Sequence, residues 1–103
     1  MLTSKQRAYL KSLANSIDTI LIVGKGGVSD ETINQARDAI KARELIKGKV
    51  LETNDDSALK VANDVAKAIK ADVVQVIGSK FILYKRNDKD PKIVLPKKGG
   101  KNN

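Results

Sequence analysis

The chain has 103 residues, enough for one domain with its own core, and its 41% hydrophobic content is that of a globular protein rather than a disordered one. Twenty Lys and Arg against twelve Asp and Glu give a net charge of +8, and there is neither Cys nor His. That composition excludes disulfides, thiolate nucleophiles, Cys/His metal sites and His-based catalytic dyads or triads, and it tells against an enzyme of conventional acid/base design; no metal or cofactor is expected.

Thr3 and Gln6 form a capping-box pair ahead of Tyr9, Leu10, Leu13 and Ile17. The spacing predicts a first helix that ends at Asn15 and Ser16, with Tyr9 in its buried stripe and Arg7 and Lys11 on its polar face. Lys5, Arg7 and Lys11 interrupt any apolar signal segment, and the longest apolar runs are the four residues at 20–23 and 81–84. No membrane span is therefore expected, and the expected compartment is the cytoplasm.

Residues 19–23 are a β-rich run without polar alternation, which predicts a strand covered on both faces. Gly24-Lys25-Gly26-Gly27 follows, and Ser29 with Asp30 and Glu31 predicts the start of a second helix buried through Ile33, Ala36 and Ile40. Residues 45–52 read as a strand with Leu45, Lys47 and Lys49 on one face and Ile46, Gly48 and Val50 on the other. Asn54, Asp55, Asp56 and Ser57 read as a turn and cap before a third helix with Ala58, Ala62, Val65 and Ile69 inside. Residues 73–77 and 80–85 flank Gly78-Ser79, a two-residue hairpin turn that sets Ile77 opposite Lys80, Val76 opposite Phe81 and Val74 opposite Leu83. That register gives a core face of Val74, Val76, Phe81 and Leu83, and leaves Tyr84 on a mixed face as the one aromatic available for stacking. From Arg86 on the chain is rich in Lys, Asp, Gly and Asn. Within it, Ile93, Val94 and Leu95 offer a docking segment, and the stretch after Pro96 is expected to be mobile.

The fold class that follows is α/β: a single compact domain of order α-β-α-β-α-β-β, with a four-stranded mixed sheet packed with three helices. Charge is uneven along it. Residues 1–29 carry a net +3, residues 30–70 are neutral, and residues 71–103 carry +5. Basic ends around a neutral middle point to a polyanionic partner.

Three chemistries use a glycine loop between a strand and a helix. A dinucleotide fingerprint would need glycine where Ser29 stands, and no P-loop string is present. A Gly-x-x-Gly clamp on a nucleic-acid backbone fits better, because residues without Cβ let a phosphodiester approach, amides of the turn donate to it, and Lys25 adds a charge. Glycine also serves a plain tight turn, so this reading stays open on the loop alone.

Taken together, Leu2-Thr3-Ser4-Lys5-Gln6-Arg7 with Leu10 and Leu13, Val23-Gly24-Lys25-Gly26-Gly27-Val28-Ser29, Arg43-Glu44-Leu45-Ile46-Lys47, Val73-Val74-Gln75-Val76-Ile77-Gly78 and Leu83-Tyr84-Lys85-Arg86 resemble the YhbY-like CRM-domain family. The resemblance covers the chain to about Arg86 and implies a domain at 1–86, with a basic, flexible tail at 87–103. It implies a fold similar to the C-terminal domain of a bacterial translation initiation factor. It also implies RNA binding without catalysis, with rRNA of the large ribosomal subunit precursor as partner and a role in ribosome assembly; a monomer is expected. Carried over residue by residue, the RNA-binding set is Gly24, Lys25, Gly26 and Gly27, joined by Lys5, Arg7, Lys47, Lys49, Lys80 and Arg86. Lys47 and Lys49 read equally well as lysines protecting an edge strand. Gly48 departs from the pattern by weakening its strand. With three aromatics in all, contacts should fall mostly on phosphates and sugars. The alternatives are a small nucleotide-binding enzyme using the same loop, or a protein-interaction module using the mixed sheet face and residues 93–95.

Overall fold

A computed structural model of the chain describes residues 2–52 and 56–96. Its elements are α1 (Ser4–Ala14), β1 (Thr19–Val23), α2 (Asp30–Arg43), β2 (Leu45–Val50), α3 (Ala58–Ile69), β3 (Asp72–Ile77) and β4 (Lys80–Tyr84), in the order the sequence predicts. The helix starts are set by local chemistry. Thr3 Oγ1 accepts from the Gln6 amide and Gln6 Oε1 accepts from the Thr3 amide, both at 3.1 Å, while Ser29 and Ser57 cap α2 and α3. Asn54 and Asp55, expected to share the turn before α3, lie outside the described residues, as does the stretch from Lys97 on.

The four strands form one sheet in the order β1-β2-β4-β3, with β1 parallel to β2 and β4 antiparallel to both its neighbours. Strand alternation divides the core in two. Leu21, Val23, Ile46, Val50, Phe81 and Leu83 face α2 and α3, whereas Leu45, Val74, Ile82 and Tyr84 face Leu10 and Ala14 of α1.

Several expectations are corrected. β1 is an edge strand covered on one face only, with Ile20 36% and Ile22 51% exposed, because the α1 cluster lies over the other three strands. Tyr9 is 38% exposed, since Leu10 and Ala14 take the inward positions of α1. A bulge in β3 between Val73 and Gln75 pairs Val73 with Leu83 and turns Val74 to the α1 side. Tyr84 is buried beneath α1 and cannot stack on a ligand; burial raises its pKa, and the Glu44 charge adds to the effect. β2 is paired on both sides, so Lys47 and Lys49 protect no edge. Gly48 sits opposite Phe81, and a Cβ there would run into the ring. The glycine thus makes room for the largest core side chain rather than merely weakening its strand.

Residues 87–96, expected to be flexible, are tied to the domain. Ile93 and Leu95 pack against the α1 cluster, and the Pro96 carbonyl accepts from Gln6 Nε2 at 2.9 Å. Glu44 holds the start of this segment. It follows α2 with φ +65°, a region that non-glycine residues rarely occupy, and it is fully buried. Its Oε1 accepts from the Lys92 and Ile93 amides and its Oε2 from the Asn87 amide, each at 2.7 Å. Burial pushes its pKa up, but the three amides and the Arg86 charge outweigh that and hold it below the ordinary carboxylate value.

Candidate nucleic-acid interface

The glycine loop leaves the end of β1 and closes at once on itself. The Gly27 amide donates to the Gly24 carbonyl at 2.9 Å, and Gly27 has φ +69°, where a residue with a side chain would be strained. The turn therefore accounts for Gly27. It does not account for Gly26, whose φ lies outside the left-handed region and where an added Cβ would meet no atom of the described residues within 4 Å. Lys25, at the tip, is exposed. Beyond the loop Ser29 Oγ accepts from the Thr32 amide at 3.2 Å, and Asp30 and Glu31 occupy the first turn of α2 and partly offset its dipole for an anion.

Two backbone hydrogen bonds draw the strand ends together beside this turn. The Leu51 amide donates to Val23 at 2.9 Å, and the Val50 amide donates to Ser79 at 2.7 Å. Lys49 and Lys80 are directly opposed on β2 and β4 at this end, and Lys47 lies one row further down, opposite Ile82. Among the described residues none of Lys25, Lys47, Lys49 and Lys80 is engaged in an ion pair.

The fold thus brings together the loop, Lys25, Lys47, Lys49 and Lys80. It does not bring Lys5, Arg7 or Arg86 to them. Lys5 lies in the first turn of α1, whose other end approaches Lys47 through Asn15, so about 15 Å of helix axis separates them. Arg7 sends its guanidinium to the carbonyls of Val73 and Val74, at 3.0 Å for the latter, at the bulge of the edge strand β3. Arg86 follows β4 at the far end, about 20 Å along the strand from Lys80, with its Nε 3.5 Å from Asp88.

Sequence reasoning missed two features. One is Glu44, whose only local signal is an acid standing where a helix stop would usually have glycine. The other is the exposed face of β1, which shows only once α1 is seen to stop short of that strand. Among the described residues no group of acidic side chains could hold a metal ion, and no helix is long and apolar enough to cross a membrane.

The CRS1 / YhbY (CRM) domain matches residues 2–85, and the chain belongs to that family. It is 42% identical over 96 residues to Probable RNA-binding protein YqeI of Bacillus subtilis, covering 93% of this chain and all of the relative. A Haemophilus influenzae protein named RNA-binding protein is 32% identical over 97 residues, covering 94% of this chain and 97% of its own. The solution structure of the hypothetical protein SAV1595 from Staphylococcus aureus superposes with a TM-score of 0.78 at 43% identity, over 93% of this chain and 100% of that one.

Proposed function

We propose that this protein binds RNA without catalysing a reaction, gripping the sugar-phosphate backbone with Gly24, Lys25, Gly26 and Gly27 and steering it with Lys47, Lys49 and Lys80. Its partner is rRNA of the large ribosomal subunit precursor, and it acts in the cytoplasm as a monomer that assists ribosome assembly. Lys5, Arg7 and Arg86 contribute only to the general positive field.

The observation that carries this reading is Gly26. Among the described residues neither φ nor packing calls for glycine there, so its bareness suits a partner outside the chain that comes close to the backbone. A phosphodiester suits that approach, because the lysines flanking the turn form no ion pair among the described residues and the chain carries +8. The names of the relatives agree with RNA as the partner. Binding to ribosomal RNA measured against salt tests it. About five phosphate contacts predict a log-log slope near −3.5 on single strands. Lys25→Glu should weaken binding at unchanged Tm. A flat salt response, or a Lys25→Glu variant of native affinity, overturns the proposal.

A further inference from the structure

We propose that the open half of the sheet, on the side of α1, takes unpaired bases of single-stranded RNA against isoleucine side chains. This rests on the RNA-binding reading above and names the part of the RNA that reaches the sheet. The observation is a row in register across all four strands. Ile22 pairs with Lys49, Lys49 with Lys80, and Lys80 with Ile77. Ile22 is 51% and Ile77 61% exposed, and Ile20 adds to the exposed apolar surface of β1. The hollow beneath the row is lined by Asn15, Lys47, Gln75, Ile77, Lys80 and Ile82, with no carboxylate among them.

Two features of this row are unfavourable in the isolated chain. Like charges directly opposed on neighbouring strands repel, and Lys49 faces Lys80. Large apolar side chains stand in water at both ends of the row. A ligand that brings anionic and apolar surface together relieves both. Four strands at the usual spacing span roughly 15 Å, and sheets of this width hold two or three bases. A strand leaving the glycine loop would set phosphates on the lysines and base faces on Ile22 and Ile77. The bases must be unpaired, because a duplex keeps its faces stacked inside. A second copy of the chain fits less well, since a self-complementary contact would press lysine on lysine.

The test uses fluorescence anisotropy with a short unstructured oligoribonucleotide and the same sequence annealed to its complement. Single Ile22→Ser and Ile77→Ser variants should each lose about fivefold on the single strand, the factor that returning half an isoleucine side chain to water corresponds to. They should leave duplex binding, Tm and the salt slope unaltered. Lys49→Gln and Lys80→Gln should each flatten the salt slope by about 0.7. Native single-strand affinity in the Ile22→Ser, Ile77→Ser double variant overturns the proposal, as does equal loss on single strand and duplex. So does a wild-type dimer in sedimentation that the double variant dissolves. Wild-type protein that binds neither RNA form refutes the RNA-binding reading itself, whereas wild-type binding indifferent to the isoleucines refutes only this one.

Discussion

Glu44 and Gly26 are opposite cases of a residue out of keeping with its place. Glu44 occupies a positive φ that glycine would take at less cost, yet its carboxylate gathers three amides from the segment after β4. Its ionised form is the one those amides favour, so its folded pKa lies below its unfolded value. The stability it contributes is therefore complete above the unfolded value near 4.5 and disappears as pH falls through the lower folded value. Glu44→Gln turns an amide group toward amide donors and should cost about 2 kcal/mol at neutral pH. That corresponds to a fall in Tm of about 10 °C. Thermal melts of both proteins from pH 7 downward check this: the gap should hold to about pH 4.5 and then narrow, and a gap independent of pH would contradict the role assigned to the charge. Gly26 has no such neighbour among the described residues, which is why its meaning is sought outside the chain.

At the scale of elements, β2 shows how a glycine inside a strand is made useful. Gly48 lies opposite Phe81, whose ring occupies the space a side chain at 48 would need. Gly48→Val improves local strand propensity but forces the ring out of a finished core, a change of the overpacking kind that costs about 1–3 kcal/mol. Chemical denaturation should show that loss; a stabilised variant would mean that propensity outweighs packing at this position. The three helix caps, the buried stripe of α3 and the Gly78 turn with φ +56° could be read directly, because each depends on residues within a few positions of one another. The bulge in β3 could not. It is supported by the Arg7 guanidinium from an element 66 residues away, and it moves Val74 from one face to the other. The exposure of Ile20 and Ile22 was likewise hidden, since a run of apolar residues reads the same whether one face is covered or two. The glycine loop could be picked out as a candidate site, but the separation of Lys5, Arg7 and Arg86 from it depends on where α1 and the end of β4 fall in space.

Taken as a whole, the molecule gathers its candidate binding residues at one end of the sheet. The turn after β1, the end of β2 and the β3–β4 hairpin meet there, and the lysines they carry have no acidic partner among the described residues. The opposite end is occupied by α1, the Glu44 clasp and the docked segment to Pro96, which complete the core on that side. On the proposed reading stability and binding can be altered separately: Glu44 and Gly48 serve the first, and Gly26, Lys25, Lys49 and Lys80 are proposed to serve the second. Gly26→Val separates them most sharply, because an added Cβ meets none of the described residues within 4 Å and so stands where an external partner would approach. Affinity for single-stranded ribosomal RNA, measured on this variant and on the wild type alongside their Tm values, tests the central claim. The account predicts at least a tenfold loss, about 1.4 kcal/mol, with Tm essentially unmoved. A folded Gly26→Val protein that binds as tightly as the wild type would contradict it.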